Sequence, residues 1–138
     1  MASINMIDEE NATGNVKKIY SEIKESLGID FVPNMYKIMA HKPDYLETTW
    51  NKTKAIMHDK TGKLDTLTKE IIAVAVSATM GCKYWLEVHT SAVQKLGLDD
   101  EGILELMAVV DLFSGFNKLL FGLQVEMDEK PWYGWGWI

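Results

Sequence analysis

Three side chains in this sequence have the types and spacing to do chemistry together: Glu70, Cys82 and His89. A carboxylate and an imidazole can hold and pass a proton, and a thiolate can attack an electrophile or give up two electrons to a peroxide. Cys82 and His89 are seven residues apart. On one helix that places them within about 20° of each other around the axis but roughly 10 Å apart along it. They share a face without touching. Cys82 falls at the start of its predicted helix, where unpaired N–H groups and the helix dipole favour an anion, and Lys83 adds positive charge beside it. The placement predicts a thiol more reactive than a free cysteine. Glu70 opens an otherwise apolar helix, so its carboxylate must be solvated at the helix end or satisfied by a partner, although a first-turn acid that merely suits the dipole reads the same way. His89 also has a plain reading. Its face carries Trp85, Leu86, Val93 and Leu96 and should point inward, and inward histidines are commonly satisfied core residues.

The elements that must position these groups read as helices throughout. Val16, Ile19, Tyr20, Ile23 and Leu27 recur at three and four residues, one face of a helix that should stop at Gly28. Pro33 and Pro43 suit the first turn of a helix, predicting a short helix from Pro33 to about His41 and a longer one from Pro43 to about His58. Asp59 to Lys63 reads as a polar turn. From Asp65 or Thr66 a fourth helix should run to about Met80. Its apolar residues lie on all sides, which predicts a place in the middle of the fold. Gly81 breaks it, and a fifth helix follows from about Cys82 to Leu96 with Gly97 as its stop. The last helix should begin after Asp99 and Asp100 and continue to about Met127. No internal repeat, low-complexity segment or strand alternation is present. The expected architecture is all-α, a single domain over residues 1–138 with an aromatic C-terminal tail at 128–138.

Composition narrows the function classes. The chain has 138 residues, a net charge of −6, and fourteen positive side chains that are all lysine. The acidic balance argues against nucleic acid as a partner. Without arginine there is no bidentate fork for carboxylates or phosphates, so a dianionic substrate would rest on lysine or backbone groups. The longest apolar run, Ile71 to Met80, falls short of the roughly 20 residues a membrane span needs. Met1 to Glu10 is acidic and unlike a secretory signal, and the single cysteine suits a reducing compartment, so the expected location is the cytoplasm.

The stretch from Lys69 to His89, KEIIAVAVSATMGCKYWLEVH, resembles the core motif of the carboxymuconolactone decarboxylase and alkylhydroperoxidase D-like (AhpD-like) superfamily. Upstream, Val32 to Tyr36 and Ala40 to Pro43 are similar to the leading segment of its peroxidase-related branch. Downstream, Ala92 to Leu98 and Phe116 to Lys118 continue the likeness, which covers most of residues 30–125. The resemblance implies an AhpD-like helical bundle of about six helices assembling as a homo-oligomer, a trimer or hexamer. It also implies a site of the form Glu, Cys-x-x-Cys, then His. Carried over by position, Glu70 and His89 would be the proton relay and Cys82 the first cysteine. Where the motif has its second cysteine this sequence has Trp85, so no disulfide can close within the site, and dithiol exchange is excluded on stoichiometry.

The sequence points first to one function and leaves two alternatives open. The first is a thiol-dependent, peroxiredoxin-type peroxidase that reduces hydroperoxides through Cys82 and is restored by an external thiol. The second is a decarboxylase-like lyase in which His89 and Glu70 move protons on a small organic acid. The third is a non-catalytic oligomer whose site Trp85 has filled. No cofactor is expected, and no metal, because Glu70, Cys82 and His89 follow no standard zinc spacing. His41 and His58 read as surface or helix-end residues. Asp111, Ser114 and Asn117 form a polar stripe expected to satisfy one another or line an interface. Trp132, Tyr133, Trp135 and Trp137 are too much aromatic surface to leave in water. They fold back on the chain or, the preferred reading, dock on a neighbouring subunit.

Overall fold

The computed structural model describes residues 2–129, so the Trp-rich segment from 130 onward, with the expectation that it docks, lies outside the described residues. Among the described residues the regular structure is helical, with no strand. After a single 3-10 turn at Glu9–Asn11 come α1 (Gly14–Leu27), α2 (Asn34–Met39), α3 (Pro43–Met57), α4 (Thr66–Met80), α5 (Lys83–Lys95) and α6 (Asp100–Gly122). The chain divides after Thr66 into two compact units, each with its own core.

In the first unit the periodic face of α1 is buried except at Leu27, which lies exposed in the last turn. Val16, Ile19, Tyr20 and Ile23 are buried with Val32, Tyr36, Leu46 and Trp50. Ile23 and Leu46 are fully enclosed, each contributing about 1.5–3 kcal/mol by removal from water. The segment before α1 is tied down by polar contacts. The Tyr20 hydroxyl donates to the Ile7 carbonyl at 2.8 Å, and Glu9 accepts from Lys24 Nζ at 2.6 Å and from the Val32 N–H at 2.8 Å. The Lys24 bond, and next the Val32 N–H, hold the Glu9 carboxyl below the usual carboxylate range, while burial pushes the Tyr20 phenol up to about 12. Lys54 bonds Glu22 in the same way and lowers its carboxyl.

Pro43 occupies the first turn of α3 as expected, but Pro33 does not. Its ψ of 140° makes it the extended N-cap of α2, whose first helical residue is Asn34. A proline fixes φ alone, and an extended ψ keeps it outside the helix. His58 caps the end of α3, bonded to Ser26 and edge-on to Trp50, and the exposed His41 is bonded to the Asn5 carbonyl. Both are the helix-end residues their positions suggested.

The second unit packs α4, α5 and α6 around Val74, Val93 and Leu106, with Leu67, Ile71, Leu86 and Met107 against them. Here the sequence expectation for α4 is corrected. It is not enclosed on all sides: Val74 and Ser77 are its buried residues, while Ile72, Val76 and Met80 are exposed. An apolar face shows that something could cover it, not that this chain does. Leu96, expected inward, is exposed as well. At the last helix, Asp99 caps the start by accepting the Gly102 N–H at 2.9 Å, so the helix begins at Asp100 itself rather than after it. The end comes at Gly122 rather than near Met127, because Gln124 adopts φ 50° and the chain turns away.

Candidate active site

Glu70 lies in the second turn of α4 and His89 in the middle of α5, two helices joined by one short turn. That turn has a definite geometry. Gly81 takes φ 68°, its N–H bonds the Ala78 carbonyl at 3.2 Å, and the Cys82 N–H bonds the Ser77 carbonyl at 2.9 Å. This is the paired hydrogen-bond pattern of a Schellman cap, which needs a left-handed residue and so favours glycine. The buried Ser77 is itself satisfied, its hydroxyl donating to the Ala73 carbonyl. With α4 ended this way, α5 begins at Lys83 and packs Leu86 and Val93 against the same core as Val74.

The result brings two of the three expected residues together. His89 Nδ1 lies 2.6 Å from Glu70 Oε2, with side-chain exposures of 17% and 15%. An ionised carboxylate can only accept, so Nδ1–H donates and a neutral ring carries its lone pair on Nε2. A third residue completes the arrangement. Trp85, one turn before His89, stacks its indole on the imidazole with centroids 5.2 Å apart and planes 23° from parallel. Tyr84 meets the indole edge-on at 5.1 Å. The sequence reading recognised Trp85 as the occupant of the second-cysteine position but missed the stacking. The signal was present, since residues four apart on a helix are direct neighbours and both carry flat rings.

Cys82 is placed as its position suggested, yet not with the other two. It is the N-cap of α5, in extended conformation and partly exposed. Among the described residues no hydrogen bond joins its thiol to Glu70 or His89, and no three His, Cys, Asp or Glu side chains converge to hold a metal ion. Two turns of helix separate the sulfur from the imidazole, and Trp85 occupies the turn between. What the site can do without further help is therefore proton transfer at Nε2 of an imidazole backed by a carboxylate. The polar stripe of α6 is elsewhere. Asp111, Ser114 and Asn117 line a groove together with Ala78, Thr79 and Met107.

Residues 43–125, which hold the whole of this arrangement, match the carboxymuconolactone decarboxylase family, and the chain belongs to that family. Its structure is similar to the crystal structure of the alkylhydroperoxidase AhpD core from Rhodospirillum rubrum, with a TM-score of 0.84 and 33% identity over 94% of this chain and 96% of that one. The AhpD-like fold expected from the motif is thus the fold observed. The chain is also 29% identical over 111 residues to a (R)-2-haloacid dehalogenase of Pseudomonas putida, across 78% of its own length and 35% of that protein's. It spans about a third of that relative.

Proposed function

We propose that this protein is an acid–base enzyme acting on a small organic acid, with His89 as the proton carrier and Glu70 as the group that orients it. The observation that carries the reading is the 2.6 Å contact between Glu70 and His89 Nδ1, which leaves Nε2 as the working nitrogen. Partial burial strengthens the contact relative to water and keeps bulk solvent from competing for the carboxylate. In the forward step Nε2 takes a proton from the carbon next to a carbonyl, and the carboxylate stabilises the imidazolium that results. The electron pair left behind is held as an enolate, the imidazolium exchanges its proton with water, and Nε2 then protonates the product carbon. Membership of the decarboxylase family is consistent with such a substrate. The absence of arginine directs the choice toward one that carries a single carboxylate rather than two.

The test is deuterium uptake from heavy water into a panel of lactone and 2-oxo carboxylic acids, followed by proton NMR. The wild-type chain and Cys82→Ser should exchange at similar rates, while His89→Gln should lose at least about a hundredfold, in the range general acid–base catalysis contributes. Loss of exchange in Cys82→Ser with retention in His89→Gln would refute the assignment.

A second reading is favoured by one observation, the placement of a partly exposed Cys82 at a helix N-terminus in a fold similar to an alkylhydroperoxidase core. The thiolate sulfur would attack the peroxide, breaking the O–O bond and releasing an alkoxide that takes up a proton. The sulfenic acid left on sulfur would be reduced by two equivalents of external thiol, giving water and a disulfide. A gain of one oxygen at Cys82 on treatment with an organic peroxide, followed by turnover with a thiol, selects this reading. In either case the chain works as a homo-oligomer in a reducing compartment such as the cytoplasm. Among the described residues no helix is long and apolar enough to cross a membrane.

A further inference from the structure

We propose that Trp85 is a positioning residue for His89: the indole sets the plane of the imidazole, while Glu70 sets the direction in which Nε2 points. This rests on the proton-transfer reading of the pair. One hydrogen bond from Nδ1 leaves a ring free to swing about the N–H···O axis, so Glu70 alone does not define where the opposite nitrogen lies. A flat neighbour removes that freedom. Trp85 supplies it at 5.2 Å and 23°, and Tyr84, at 5.1 Å and 89°, braces the indole from its edge.

Both constraints act on a side chain that is only partly exposed, and both come from residues fixed on helices rather than loops. A thiol at position 85 would offer no face to stack on. Tryptophan at the position of the motif's second cysteine therefore changes what residue 85 does for the imidazole, from a sulfur that exchanges electrons to a plate that holds the ring. Productive proton transfer requires orientation within about 10–20°, which a stacked ring can enforce and a lone hydrogen bond cannot.

The experiment compares the wild-type chain with Trp85→Phe, Trp85→Leu and Trp85→Ala. The readouts are NMR relaxation of the isotope-labelled His89 ring, assigned with His89→Gln, and deuterium uptake into a 2-oxo carboxylic acid. Wild type and Trp85→Phe should show a rigid ring and exchange within about twofold of each other. Trp85→Leu and Trp85→Ala should show a mobile ring, still protonated on the Nδ1 that Glu70 holds, and exchange slower by roughly tenfold or more, the scale of losses that misorientation causes, with helical circular dichroism unchanged. Leucine fills the volume without a flat face, so it reports on stacking even if the alanine variant fails to fold. A folded Trp85→Leu whose ring stays as rigid as in the wild type and that keeps the wild-type rate overturns the proposal. If the wild-type chain takes up no deuterium, the proton-transfer reading fails, and the ring spectra alone decide the role of Trp85.

Discussion

Glu70 and His89 hold each other where neither could stand alone at so little exposure. A half-shielded carboxylate without a partner, or an imidazole without one, would forfeit hydration that nothing replaces. Glu9 is the corresponding residue of the first unit, except that its partners are structural. It accepts from a lysine and from a backbone N–H that belongs to the approach to α2. Its carboxyl is held below the ordinary range, first by the Lys24 bond. A depressed folded value means that the native state binds fewer protons than the unfolded chain in the window between the two. Its contribution is therefore complete above the usual carboxylate value and disappears as pH falls through the folded one. Melting temperature measured downward from pH about 5 should fall more steeply in the wild-type chain than in Glu9→Gln, which has no proton to gain. Parallel curves would show that the contact carries no stability. Residues were also where the sequence was most legible. Glu70, Cys82 and His89 could be named from type and spacing, and the separation of Cys82 from His89 by about two turns followed from helix geometry. The meeting of Glu70 with His89 could not be read in that way, because it depends on how α5 folds back along α4.

Helix ends were legible where chemistry forces them. Gly28 and Gly81 were identifiable as stops because left-handed backbone is costly for other residues, and both take positive φ in the structure. The end of α6 was missed for the converse reason. Gln124 adopts φ 50°, its N–H bonded to the Phe121 carbonyl and that of Val125 to Leu120, the same cap built without glycine. No residue type announces it. Two substitutions test this account in opposite directions. Gln124→Gly should raise stability by up to about 1 kcal/mol, whereas Gly81→Ala should lower it by about 1–2 kcal/mol, since no atom crowds the added methyl and only the backbone is penalised. Thermal or urea unfolding measures both. Equal destabilisation by the two changes would mean that the caps are not what ends these helices.

At the scale of the molecule, the apolar surface left on the second unit is the feature that sequence pattern predicted in amount but not in place. The all-round apolarity of α4 suggested burial, yet Val76 and Met80 are open. So, along α6, are Leu104, Val109, Leu119 and Phe121, the last at 87% exposure. Scattered apolar residues are ordinary, but runs of this kind mark surfaces that other protein covers. The proposed homo-oligomer accounts for them. Sedimentation equilibrium should return a multiple of the 15.7 kDa chain mass. The double change Val109→Lys and Leu119→Lys should shift the equilibrium toward the single chain while leaving helical content intact. A wild-type sample that stays at the single-chain mass at tens of micromolar, well above the dissociation constant of an ordinary specific complex, would remove the proposal.

The turn at Gly81 has one more consequence. Because it is so brief, the carboxylate, the thiol, the indole and the imidazole all lie within one uninterrupted stretch, Thr66–Lys95. The candidate groups thus sit on a single helical hairpin. Grafting that hairpin onto an unrelated helical scaffold would ask whether the proposed proton transfer travels with it.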